Sequence, residues 1–231
     1  NRYIIITHDN RSGKHLPHNK FKTQYPKTYS YLNQYRDELV KRSIKPFLVA
    51  QKSKKIDELY DKFYILDNIG NYSFASYKVV WKEVSARMQV GGFHTAVVEP
   101  VNDWYLGKKN VIPDHTVILI PFKDRDEAYY LAGILNSLVA SIYGAYMVGG
   151  MLEKMIIPKF DRQNAIHLKI AELSRRAHEV VKCIDEQTKP EYCKDIGDPE
   201  EELRRIEEEL DRAVAELYGL SDDELAEIKR F

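Results

Sequence analysis

From about residue 162 to the end of the chain, apolar residues return every three or four positions, and that spacing dictates helices. Ile166, Ile170, Leu173, Ala177, Val180 or Val181, and Ile184 form one apolar stripe. Leu203, Ile206, Leu210, Ala213 or Val214, and Leu217 form a second, and residues 186–198 between them are polar. Asp198-Pro199-Glu200-Glu201 is a helix start: a capping carboxylate, a proline whose fixed φ suits the first turn, and a glutamate three residues after the cap. Gly219 stops that helix, and Ser221-Asp222-Asp223-Glu224 caps a last short one holding Leu225 and Ile228. The pattern predicts a helical tail over 161–231, a hairpin plus one short helix.

Upstream the periodicity is mixed. Tyr3-Ile4-Ile5-Ile6 reads as a strand, and a strand so near the first residue, Asn1, implies that the chain was cut from something longer. A polar loop, Asp9 to Asn19, follows, and Pro26 opens a helix carrying Tyr29, Leu32, Tyr35 or Arg36, and Leu39 and ending near Arg42. Phe63–Leu66, Tyr77–Trp81, Met88–Gly91 and Thr95–Glu99 are strand candidates. His115–Ile120, β-branched and nearly all apolar, is expected to be a buried central strand. Asp124 or Asp126 caps a helix with Tyr130, Leu131, Ile134, Leu135 and Leu138 on one face. Met155–Pro158 reads as a final edge strand. The expected fold class is α+β: a mixed sheet with flanking helices over 1–160, then the tail.

Charge is zero overall and strongly polarised. Residues 1–160 carry 23 Lys/Arg against 15 Asp/Glu, and residues 161–231 carry 12 against 20. Residues 1–55 alone hold 13 basic and 3 acidic side chains. A basic segment faces a polyanion or is simply solvated, and charge alone leaves both readings open. The 16 tyrosines of the chain favour nucleic acid, because aromatic rings stack on bases. No stretch reaches the ~18 apolar residues of a membrane span. Cys183 and Cys193 are too few for a disulfide framework, so reduced packing thiols and a cytoplasmic setting are the expectation.

Catalytic motifs are missing. None of the nine prolines is adjacent to another, so the Pro-Pro-aromatic loop that grips a flipped adenine's amino group is not there. No Gly-rich turn follows a strand as a dinucleotide-type site requires, and no phosphate-binding loop occurs. His15 and His18 lack a second pair at zinc spacing, and the only Glu-x-Lys trio, Glu227-Ile228-Lys229, falls in a helix. No metal, cofactor or catalytic residue is assigned to this chain. Binding chemistry remains. Arg36, Arg42, Lys45, Lys52, Lys54 and Lys55 are the phosphate-contact candidates. Asn68, Asn71, Tyr72 and Lys78, in or beside a turn before the strongest strand, are the base-reading candidates.

Four segments then carry a family resemblance. They are Tyr25–Leu32 with Arg36-Asp37-Glu38-Leu39 and Arg42; Ile69–Trp81; Glu127–Ser137; and Ile156-Ile157-Pro158-Lys159-Phe160 leading into the tail. In this order the chain resembles the C-terminal target recognition (TaqI-like specificity) region of adenine-specific DNA methyltransferases of restriction-modification systems. The resemblance implies sequence-specific binding of double-stranded DNA. It also implies a methyltransferase domain upstream, or a separate methyltransferase subunit, that binds S-adenosylmethionine and methylates a flipped adenine. The family's base-reading residues vary with target and are not carried over by position. Two other readings stand beside it: a protein-interaction module docking through the acidic helices, and a stand-alone specificity subunit.

Overall fold

The computed structural model describes residues 3–41, 60–82, 93–113, 116–141, 155–184 and 191–230. These fall into two units, residues 1–74 and 75–231.

In the first unit, helices α1 (His18–Gln24), α2 (Pro26–Asn33) and α3 (Arg36–Lys41) surround a small aromatic core of Phe21, Val40, Phe63 and Tyr64. The Phe21 and Tyr64 rings lie 4.7 Å apart. Two hydrogen bonds tie distant backbone into this core: the Thr7 hydroxyl donates to the Tyr64 carbonyl (2.7 Å), buried, and the partly buried Tyr64 hydroxyl to the Leu16 carbonyl (2.7 Å). The single helix expected from Pro26 to Arg42 is broken after Asn33. There the Gln34 and Tyr35 amides bond three residues back, to Tyr31 and Leu32, and tighten the turn. The strands expected at 3–7 and 63–66 do not form. Only an isolated bridge joins His8 to His15. Phe63 and Tyr64 are both buried, whereas a strand would send neighbours to opposite faces, and a turn serves both where a ladder would not.

In the second unit, β1 (Tyr77–Lys82) lies between β2 (Ala96–Val98) and β5 (Val117–Phe122). β1 pairs antiparallel with both, Val79 facing Val97 on one side and Ile120 on the other. A separate antiparallel hairpin joins β3 (Val101–Asp103) to β4 (Gly107–Lys109). Every pairing among the described strands is antiparallel, which corrects the expected mixed sheet. Among the described strands β5 lies at one end of the three-strand order and is only partly buried, and β1 takes the central place expected of the β-branched run. Residues 88–91 lie outside the described residues. Met155–Pro158 joins no ladder. Side chains hold it instead, the Tyr130 hydroxyl donating to the Pro158 carbonyl (3.0 Å) and that of Tyr218 to Ile156 (3.1 Å).

Helix α4 (Arg125–Asn136) is capped by the Asp124 carboxylate, which accepts from the Asp126 and Glu127 amides, and it is buried without a break from Ala128 to Leu135. Burial on all sides is what a helix between two layers requires. The sheet lies against it, and α5 (Ala165–Ile184) packs on it and on α6 (Pro199–Leu217). Asp198 caps α6, and Ser221 and Glu224 form the capping box of α7 (Asp222–Ile228), as their spacing predicts. Val79 and Trp81 share one apolar cluster with Ile134, Ile170, Ile206 and Val214. The boundary expected at residue 160 therefore marks a change of secondary structure and not of packing. The chain divides after Phe74.

Specific bonds reinforce the layers. The Asn136 side chain clamps one residue, accepting from the Thr95 amide (2.7 Å) and donating to its carbonyl (2.9 Å). His178 on α5 accepts from the Val97 amide through Nε2 (3.0 Å), which leaves Nδ1 to donate to the Ser174 carbonyl (2.7 Å). Burial holds its pKa below the ordinary histidine value. Cys183 and Cys193 are joined in a disulfide, which overturns the expectation of reduced thiols. The end of α5 and the turn at Glu191–Asp195 bring their Cα atoms to 5.5 Å, a normal bridging distance. No described helix is long and apolar enough to cross a membrane.

Contact between α4 and α5 depends on Gly133, where an added Cβ would lie 2.8 Å from Ile170 Cγ2 and 3.2 Å from the Ile170 carbonyl. Gly133→Ala gains about 1 kcal/mol of helix propensity but overpacks a closed contact for about 1–3 kcal/mol. Denaturant unfolding is expected to show a net loss of about 1 kcal/mol. A raised midpoint would mean the interface yields freely.

Candidate nucleic-acid interface

The turn that carries the base-reading candidates is built almost wholly from its own hydrogen bonds. Asn68 takes a left-handed conformation (φ 56°), which asparagine tolerates better than most residues. Its carbonyl accepts from the Tyr72 hydroxyl at 2.6 Å. The Ser73 amide donates to the Gly70 carbonyl (3.1 Å), and the Gly70 amide donates back to the Ser73 hydroxyl (3.3 Å). Ser73 is buried beneath, while Asn68, Asn71 and Tyr72 are exposed above.

A second loop presses against this turn. A Cβ on Gly13 would sit 2.3 Å from the Asn71 amide nitrogen, and Gly13 itself has φ +69°. Only glycine permits both that approach and that conformation. The Asp9 carboxylate organises the loop, accepting from the Ser12 amide (2.8 Å), the Ser12 hydroxyl (2.8 Å) and the Arg11 amide (3.2 Å). These bonds, those from Ser12 above all, hold its carboxyl below the ordinary range. Arg11 and Lys14, on the Gly13 loop, are exposed, as are Asn68, Asn71 and Tyr72 on the turn that Gly13 meets. Sequence reasoning passed over Arg11 and Lys14. The signal available was Gly13 within a polar loop, but nothing in the sequence says which turn the loop meets. Asp9 and the exposed Asp67 belong to the same two loops, so the patch carries both signs of charge and many amide and hydroxyl groups. That chemistry suits base edges, whose donors and acceptors alternate, better than a uniform row of phosphates.

Two predicted contact residues are committed elsewhere. Arg36 donates through Nε (3.1 Å) and Nη2 (3.0 Å) to the Tyr60 carbonyl. Its guanidinium lies over the Tyr60 and Phe63 rings, at 5.2 and 5.5 Å, and pairs with Asp61 at 3.6 Å. It fastens α3 to the aromatic core and is not offered to a phosphate. Lys78 is fully buried, its ammonium donating to the Ala75 (2.6 Å) and Val111 (2.9 Å) carbonyls. It is not a base reader. Position 78 lies on the face of β1 opposite Val79 and Trp81, but the chain covers that face too, and the Ala75 and Val111 carbonyls supply acceptors there. Arg42, Lys45, Lys52, Lys54 and Lys55 lie outside the described residues. Described lysines that do stand exposed in the first unit include Lys20, Lys22 and Lys27 on α1 and α2.

The second unit holds a cleft of about 730 Å³ between β2, the end of α4, α5 and α6. Its polar groups mostly serve the fold. Both His178 nitrogens are bonded, Asn136 clamps Thr95, and Asp211 accepts from the Leu138 amide at 2.7 Å while burial raises its carboxyl above the usual range. Among the described residues no cluster of three or more metal-ligating side chains occurs.

No family model, curated protein or solved structure matches the chain.

Burial pushes the Lys78 pKa down from the ordinary 10.5 to about 8. Between those values the unfolded chain binds the extra proton, so stability rises with pH across this window, and the penalty is complete below it. Melting curves from pH 8 to 10 are expected to show that rise in the wild type and its absence in Lys78→Met. Equal slopes would show that the ammonium is not desolvated.

Proposed function

We propose that this chain recognises a specific sequence in double-stranded DNA, as the target-recognition part of an adenine-specific DNA methyltransferase. Methyl transfer from S-adenosylmethionine is then the work of a methyltransferase domain of the same protein, or of a separate subunit. The observation that carries this reading is the junction at Gly13. It holds two polar loops in one place and leaves Arg11, Lys14, Asn68, Asn71 and Tyr72 exposed together on backbone already fixed by hydrogen bonds. Such preorganisation is what base discrimination needs, because side chains ordered before binding lose less entropy on contact.

The roles divide along physical lines. Lysines of α1 and α2, with the basic segment that includes Arg42, Lys45, Lys52, Lys54 and Lys55, would neutralise phosphates and set register, a contribution that is independent of sequence and sensitive to salt. Asn68 and Asn71 have the paired donor and acceptor that match adenine in the major groove, and Arg11 the fork that matches guanine. Recognition stabilises the protein on its site and so offsets the few kcal/mol needed to unstack the adenine.

Gel-shift titration against a random-sequence duplex pool, at two salt concentrations, tests the reading. Binding is expected to weaken steeply with salt, and sequences enriched by selection should lose about 1–3 kcal/mol of preference in Asn71→Ala. Retention by no duplex at low salt would end the proposal. Charge reversal at Lys52, Lys54 and Lys55 separates it from a protein-docking role: DNA retention should disappear, whereas a docking module would lose nothing.

A further inference from the structure

Three consecutive large apolar side chains stand exposed on one hairpin. Trp104 is 89% exposed, Tyr105 75% and Leu106 56%, all in the turn between β3 and β4. Exposure of this kind usually accompanies a loose loop, but this turn is firmly built. The Asp103 side chain is fully buried. One of its carboxylate oxygens accepts from the Tyr105 (2.9 Å) and Leu106 (2.8 Å) amides, and the other pairs with Lys109 at 3.2 Å. Gly107 closes the turn at φ +69°. The Trp104 and Tyr105 rings meet edge to face, 5.6 Å apart. A buried, fully bonded carboxylate thus holds two aromatic rings and a leucine out into water.

The hairpin's charge indicates its partner. Asp103 is the only acid between Val101 and Asn110, and Lys109 neutralises it. Besides its tip the hairpin exposes Val101, Asn102, Lys108 and Asn110, with Asn102 directly across the ladder from Lys108. An aromatic wedge framed by amides and a lysine, with no uncompensated negative charge, suits a stack of bases between phosphates. Given the DNA-recognition reading above, on which this inference rests, we propose that the Trp104-Tyr105-Leu106 tip wedges against the base stack of the bound duplex. In that arrangement Trp104 stacks on a base and Lys108 meets a flanking phosphate.

The two tryptophans of the chain make the test direct. Trp81 is 7% exposed in the core and serves as an internal reference, whereas Trp104 stands in solvent. On titration of the whole chain with the selected duplex, the red-shifted emission of Trp104 is expected to be quenched and shielded from acrylamide, with the Trp81 component unchanged. Trp104→Ala, which removes no contact but the edge of the Tyr105 ring from an 89% exposed site, should weaken duplex binding by about ten-fold or more, the scale of one lost base–aromatic stack. Lys108→Ala should lower the salt slope by about one phosphate. Asp103→Asn, which keeps Trp104 but loosens its support, should reduce the quenching. Duplex binding with Trp104 still fully accessible to acrylamide would overturn the wedge and leave the recognition reading standing. No duplex binding at all would remove both. If Trp104→Ala instead leaves DNA affinity unchanged and abolishes self-association in sedimentation, the tip joins copies of this chain and the wedge is wrong.

Discussion

The second unit rests on one steric condition: α4 must be covered on every side. Eight consecutive residues from Ala128 to Leu135 are buried, so neither the sheet nor the tail helices alone suffice. Gly133 lets α5 approach closely enough to close one side, and Val79 and Trp81 of β1 belong to the same apolar cluster on the other. Tyr129 and Tyr130 show how polar tips are accommodated there. Burial raises both phenols, and each finds a partner at the edge, Glu99 for the first and the Pro158 carbonyl for the second. The remaining ties, Asn136 to Thr95, His178 to Val97 and Asp211 to Leu138, all join segments far apart in sequence around this helix.

The first unit uses the opposite economy. Among its described residues the apolar core is four buried side chains, and much of the order there comes from polar groups bonding their own loops. Asp9 gathers Arg11 and Ser12, Tyr72 closes onto Asn68, and Arg36 grips the Tyr60 carbonyl. Loops stabilised locally present side chains without needing a large hydrophobic body behind them. That is why the exposed Asn68, Asn71 and Tyr72 stand on an ordered frame and why Gly13 matters more than its size implies. The β3–β4 hairpin follows the same logic in the second unit, with Asp103 in the organising role.

The base-reading candidates divide instructively. Asn68, Asn71 and Tyr72 emerged from turn chemistry and are indeed exposed at a turn, because the residues that favour turns are also those that stay solvated. Lys78 follows them in sequence, yet the face of β1 it occupies is covered and its ammonium is bonded to the Ala75 and Val111 carbonyls. The charge of Arg36 suggests a phosphate contact, but its guanidinium lies over aromatic rings and donates twice to the Tyr60 carbonyl. Charge in a sequence does not say which cations are already engaged.

The helices of the tail, the cap at Asp198, the capping box at Ser221 and the capped start of α4 were legible from the residues alone. Each depends on neighbours three or four positions apart, a range within which local geometry decides. The antiparallel order of the described strands, the central place of β1 among them, the Cys183–Cys193 bridge and the meeting of Gly13 with Asn71 were decided only by the tertiary structure. Strand order, cysteine pairing and loop contact depend on which distant surfaces become buried together, and no periodicity within a segment records that choice.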